Sequence, residues 1–214
     1  MSFDSGTAFI DELKRRLTLP LPGSEAQWLM AASHRGSKSF DFTFNNPPVK
    51  SSVLITLFRR GNDFYFPLIQ RPEYGGIHSG QIGLPGGKEE HHDKDRIATA
   101  LRETAEEIGV NSERIEILGK LSELYIQASN YSVLPVIGYL HEIPEYHPDS
   151  TEVSDVIECG LTQLVKDDIK KEKELIIRNN IKIIAPYFEI GNSMVWGATA
   201  MILSEFVTIL KEIY

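Results

Sequence analysis

Apolar residues recur along this chain with two periods, one helical and one strand-like, and their succession predicts its elements. Phe9, Ile10, Leu13 and Leu17 share one face at helical spacing, and Pro20, Pro22 and Gly23 end that pattern. Ser24 and Gln27 have the spacing of a capping box, which predicts a short second helix through Trp28 to Ala32. Residues 33–48 are polar, end in Asn45-Asn46-Pro47-Pro48, and read as a connecting loop. Two β-branched and aromatic runs, 52–58 and 64–70, are separated by a polar turn around Gly61 and read as a hairpin. A helix is predicted from about Asp93 or Asp95 to Ile108, with Gly109 placed to stop it. Strands are predicted at 115–121, 131–140 and 152–157. A helical turn follows at 161–166, then an exposed charged connection over 166–174 and a strand pair over 182–190 with Gly191 and Asn192 at its turn. Met201, Ile202, Phe206, Ile209, Leu210 and Ile213 stripe a closing helix. Mixed strands with helices before, between and after them predict an α/β sandwich around a mixed sheet.

Charge narrows the partners. The 214 residues carry 22 Lys+Arg against 30 Asp+Glu, a net charge of −8, so no broad basic surface is available for nucleic acid or an anionic membrane. Any polyanionic substrate must be held locally. Cys159 is alone and forms neither an internal disulfide nor a cysteine zinc cluster, which fits a reducing compartment. The first residues lack a basic and then apolar leader, and no run approaches the roughly 18–20 apolar residues of a membrane span. A cytoplasmic location is expected.

The helix over 95–108 breaks local rules. A wheel gathers Ile97, Leu101, Ala105 and Ile108 on a core face and sets Glu103, Glu106 and Glu107 opposite them. Glu103 and Glu107 are a like-charged i, i+4 pair, and all three acids crowd the end where the helix dipole is already negative. Arg102 is the one basic side chain near them in the helix and cannot neutralise three carboxylates. Hard divalent cations such as Mg²⁺ take oxygen ligands of this kind. The glycine-rich stretch before the helix, Gly75 to Gly87, lets backbone approach a metal or a phosphate, with Lys88 and Arg71 as local positive charge.

The run from Gly87 through Asp93 to Arg102-Glu103-Thr-Ala-Glu106-Glu107-Ile-Gly109-Val110 resembles the Nudix box, G, five residues, E, seven residues, R-E-U-x-E-E-x-G-U, where U is apolar. Asp93 stands for the first glutamate, eight residues instead of seven precede Arg102, and Thr104 takes an apolar place. Leu68-Ile69-Gln70-Arg71-Pro72 with Gly80-Gln-Ile-Gly-Leu84-Pro85-Gly86-Gly87 is similar to the signature of the family's coenzyme A pyrophosphatase branch. Gly76 stands where that branch has a second arginine, and Leu84 where it has phenylalanine. Segments at 129–135 and 195–200 are also similar to that branch.

The resemblance implies a Nudix-type α/β/α sandwich over 49–214 behind an N-terminal helical extension and loop over 1–48. It implies water attack on a diphosphate with Mg²⁺ or Mn²⁺ as cofactor. For coenzyme A the products would be 3′,5′-ADP and 4′-phosphopantetheine; ADP-ribose or a dinucleoside polyphosphate are the alternative substrates, and a non-catalytic nucleotide sensor is the alternative role. Glu103 and Glu107 are the implied principal metal ligands, Glu106 a further ligand or the base, and the Gly87 carbonyl a backbone ligand. Arg102 pairs with Asp93 to orient the loop, and Glu123 is a second candidate base. Arg71, His78, Ser79, Gln81 and Lys88 are the implied substrate contacts. His91, His92, His141 and His147 read as surface histidines. The closing helix builds a homodimer interface or caps the sheet.

Overall fold

The computed structural model describes residues 6–34, 44–73, 80–177 and 181–213. In chain order the elements are α1 (Gly6–Leu17), α2 (Ser24–Gln27), β1 (Ser33–His34), β2 (Val49–Arg60), β3 (Asp63–Gln70), β4 (Ile82–Gly83), β5 (Gly86–Lys88) and α3 (Arg96–Ile108). They continue as β6 (Ile115–Lys120), β7 (Leu124–Ile126), β8 (Tyr131–Leu140), β9 (Asp155–Gly160), α4 (Leu161–Leu164), β10 (Lys170–Ile177), β11 (Ile181–Ile190), β12 (Ser193–Trp196) and α5 (Gly197–Ile213).

Among these residues the larger sheet runs β4-β3-β2-β8-β6, with β9 on β3, β5 on β2 and β7 on β8. β2 and β8 are parallel from Val49↔Tyr131 to Phe58↔Leu140, while β2 meets β3 and β5 antiparallel, so the sheet is mixed as expected. Successive side chains of a strand point to opposite faces, and β2 is apolar on both. Leu54 and Phe58 join Ala100 and Ile108 of α3 in one cluster, whereas Ile55 and Leu57 join Leu13 of α1 and Leu203 and Phe206 of α5 in the other. Helix therefore covers each face, giving an α/β/α sandwich. A smaller antiparallel sheet, β1-β11-β10 with β12 on β11, stands on the α5 side. No helix among the described residues is long and apolar enough to cross a membrane.

Four expectations change. Of the loop expected over 33–48, Ser33 and His34 form β1, paired with Ile184 and Ile183 of β11, and 35–43 lie outside the described residues. The capping box does not form: Gly23 is the N-cap of α2 without a side-chain cap. Buried Gln27 instead donates to Ser122 O at 3.0 Å and to Glu205 Oε2 at 2.9 Å. The charged stretch expected to be a connection is the strand β10, laddered to β11 from Lys170↔Phe188 to Ile177↔Ile181. It is exposed along residues 171–174, so its lysines and glutamates give no alternation to read, and charge on an edge strand opposes pairing with other chains. The strand expected at 152–157 starts later, at Asp155, which leaves Glu152 in a turn.

Candidate active site

The site forms where the double glycine of β5 meets the last turns of α3. Ser52 pairs with Gly87 and Val53 with Gly86, and a Cβ on Gly86 would stand 2.3 Å from the Ser52 carbonyl oxygen, so only glycine permits this approach. The Gly86 N–H donates to Glu107 Oε2 at 2.8 Å. A Cβ on Gly87 would stand 2.3 Å from the carboxyl carbon of Glu103. The two carboxylates thus flank the two glycines.

Local chemistry holds α3 in place. Asp95 caps its start by accepting from Ile97 N and Ala98 N, both at 2.9 Å, and Gly109 ends it in the left-handed conformation. Its last carbonyls are satisfied by a later loop, with His147 N donating to Ile108 O at 2.9 Å and Asp149 N to Glu107 O at 3.0 Å. Arg96, the first residue of α3, donates to Ser51 O at 2.7 Å and Ser132 O at 2.8 Å, pinning the helix to the parallel pair β2 and β8.

The helix is turned roughly a quarter turn from the expected wheel orientation. Thr99, Ala100, Thr104, Glu107 and Ile108 are buried, while Ile97, Leu101 and Ala105 are only half-buried. Thr104, which stands at an apolar place, settles its hydroxyl on Ala100 O at 2.7 Å. The rotation carries Glu107 inward, where its side chain is 2% exposed.

Burial pushes the Glu107 carboxyl up to about 7, against the Gly86 N–H and Arg71, and Glu103 and Glu152 push it the same way. Burial also raises Glu103, opposed mainly by Arg102. Arg71 Nη2 is 3.7 Å from Glu107 Oε1, too far for a hydrogen bond. Arg102 is shared between the loop and the acids of the helix. Its Nε and Nη2 donate to Asp93 at 2.9 and 3.0 Å, and Nη2 also to Lys88 O at 3.1 Å. Its Nη1 meets Glu106 Oε2 at 2.8 Å and Glu103 Oε1 at 2.9 Å. The bidentate guanidinium holds Asp93 well below the usual carboxylate range and ties the loop to the helix. A buried carboxylate short of positive charge, beside a second one and a backbone position with no room for a side chain, fits a hard divalent cation.

The other expected residues are distributed more widely. Glu106 is on the same helix but exposed, on Arg102. Glu123 pairs with Arg96 at 2.8 Å, and the same guanidinium donates to Ser51 O, one residue from the Ser52–Gly87 pair. The Lys88 side chain is exposed. Gln81 accepts from Arg71 N at 3.0 Å through its backbone and lines a cleft of about 460 Å³ with Gln70, Ile82, Asn192, Met194 and Trp196. His78 and Ser79 lie outside the described residues. One acid had no signal in the sequence. Glu152 is exposed on the loop that caps α3 and lies near enough to raise both Glu103 and Glu107.

Fold and site together define an α/β/α protein whose helix-borne acids gather at a glycine turn. The chain belongs to the Nudix family, whose domain matches residues 48–179. It is 32% identical over 171 residues to Nudix hydrolase 22, chloroplastic, of Arabidopsis thaliana, covering 77% of this chain and 56% of that protein. It is 33% identical over 172 residues to Nudix hydrolase 15, mitochondrial, of the same plant, covering 77% and 60%. The match thus spans under two thirds of the length of these relatives. A MutT/nudix family protein from Enterococcus faecalis shares the fold at a TM-score of 0.51 and 17% identity, covering 98% of this chain and 76% of that one.

Proposed function

We propose that this protein is a divalent-metal-dependent hydrolase of the diphosphate in a nucleotide derivative, with coenzyme A or its derivatives as substrate. The observation that carries this reading is the Glu103–Glu107 pair against Gly86 and Gly87, with Glu107 buried and no cation within hydrogen-bond distance of it among the described residues. Glu103, Glu107 and the Gly87 carbonyl would hold Mg²⁺ or Mn²⁺, with Glu106 as a further ligand. When bound, the metal cancels charge on the diphosphate oxygens and acidifies the attacking water. Arg71, beside Glu107, orients the diphosphate, and Arg102 with Asp93 positions the loop without touching substrate. The base must lie near the cluster and be free to take a proton. Glu152, exposed just after the loop that caps α3, is a candidate base beside Glu123, which pairs with Arg96. The coenzyme A assignment rests on the segment from Leu68 to Gly87.

Incubation with a panel of nucleotides and Mg²⁺ or Mn²⁺, followed by mass spectrometry of the products, tests the substrate. Coenzyme A should yield 3′,5′-ADP and 4′-phosphopantetheine; absence of 4′-phosphopantetheine removes coenzyme A, and cleavage of ADP-ribose or a dinucleoside polyphosphate alone installs the alternative. Glu107→Gln should lower turnover about a hundredfold with the fold retained, as for loss of a metal ligand. An equally active variant refutes the metal assignment. Glu152→Gln should lower kcat about a hundredfold while Mg²⁺ binding persists.

A further inference from the structure

Ahead of α3, the turn at residues 90–92 brings together three side chains that the proposed reaction does not use. Glu90, His91 and His92 each offer one ligand atom, and all three atoms lie within 4.8 Å of one another. His92 Nδ1 is 3.5 Å from Glu90 Oε2. Zinc–nitrogen and zinc–oxygen bonds near 2.0–2.2 Å make the edge of a tetrahedral site about 3.4 Å, so this pair already has the spacing of two ligands on one ion. The two imidazoles stand edge to face, 5.2 Å between centroids, and side-chain rotation must bring their ligand atoms in from within 4.8 Å to that edge.

The turn beneath them is braced. Asp93 Oδ2 accepts from Glu90 N at 2.9 Å, Asp93 N donates to Glu90 O at 3.1 Å, and Arg102 locks the Asp93 carboxylate. A braced backbone lowers the ordering cost of bringing adjacent ligands onto one ion. The donor set also differs from the carboxylates of α3. Two imidazoles and one carboxylate suit a borderline divalent transition ion and hold Mg²⁺ poorly. Three protein ligands leave the fourth position to water.

We infer that Glu90, His91 and His92 form a second metal site, selective for a zinc-class ion and separate from the carboxylate cluster on α3. It is exposed, and its ion exchanges with solvent. Because Asp93 braces the turn and also holds Arg102, an ion there stiffens the loop that carries Gly87.

The test is Zn²⁺ titration of the full chain in millimolar Mg²⁺, read by competition with a chromophoric zinc chelator. Wild type should take up one Zn²⁺ per chain. His91→Ala and His92→Ala should each weaken that uptake by at least about tenfold, while Glu103→Gln leaves it unchanged. All three residues of the site are exposed, so the variants should melt with wild type in the absence of zinc. No uptake by wild type, unchanged uptake in both histidine variants, or uptake abolished by Glu103→Gln each overturns the inference.

Discussion

Gly86 and Gly87 are neighbours, yet the same substitution should do different things to each. A methyl on Gly86 meets the Ser52 carbonyl and the Val53 backbone, which have nowhere to go. The atoms nearest a methyl on Gly87 are the far end of the Glu103 side chain, which can swing away. Gly86→Ala should therefore cost about 3 kcal/mol in denaturant unfolding. Gly87→Ala should leave unfolding nearly unchanged but lower kcat/KM about a hundredfold, by displacing one carboxylate by about 1 Å. Equal stability losses in the two variants would show that Glu103 does not rest where a side chain on Gly87 would stand. The acids show the same limit of reading residues one at a time. Glu103, Glu106 and Glu107 are conspicuous in sequence because like charges cluster at an unfavourable helix end. The sequence does not say that Glu107 is the buried one and Glu106 the exposed one, because that depends on how the helix is rotated against β2 and β5.

At the scale of elements, the N-terminal segment is tied down by a carboxylate inside α5. Glu205 is fully buried and accepts from Gly23 N at 3.0 Å, Gln27 Nε2 at 2.9 Å and Ser122 N at 3.3 Å, all neutral donors. Deleting it leaves those donors without their acceptor, the buried Gln27 amide most of all. Glu205→Ala should lower stability by about 3 kcal/mol and open exchange of amides in α2 before those of β2 and β8, as measured by hydrogen exchange. Protection that falls equally everywhere would mean the segment does not come away as a unit. This tie was not legible: Gln27 fits a capping box by spacing, but the box loses to a partner at Glu205, far along the chain. β10 was missed for a related reason, since a strand exposed on its charged stretch carries no apolar alternation and is revealed only by its ladder to β11.

For the whole molecule, the site works against stability when it lacks a cation. The carboxyl of Glu107 titrates near 7 in the folded protein against an ordinary 4.5. Below pH 4.5 both folded and unfolded chains hold that proton and its contribution is intact. Between about 4.5 and 7 the unfolded chain releases it while the folded one retains it, so stability falls, by about 3 kcal/mol at completion. Asp93 acts in the opposite sense: its carboxyl is depressed in the fold, and the stability it lends is lost only as pH drops below the usual carboxylate range. In EDTA the melting midpoint should therefore be lower at pH 8 than at pH 5. Mg²⁺ should recover the loss at pH 8, and Glu107→Gln should melt above wild type in EDTA at pH 8. A midpoint in EDTA that rises from pH 5 to pH 8, unaffected by Mg²⁺, would contradict the buried placement of this carboxylate.

Periodicity and spacing determined an α/β sandwich around a mixed sheet, its long helices and longest strands, and the acids of one helix, because apolar repeats and turn residues act over a few positions and leave their mark there. Tertiary structure decided the rotation of α3, the seat of Glu107 against Gly86, the pairing of Glu123 with Arg96 and the approach of Glu152. Each depends on which distant segment packs against which, and a contact between segments far apart in the chain leaves no period in either one.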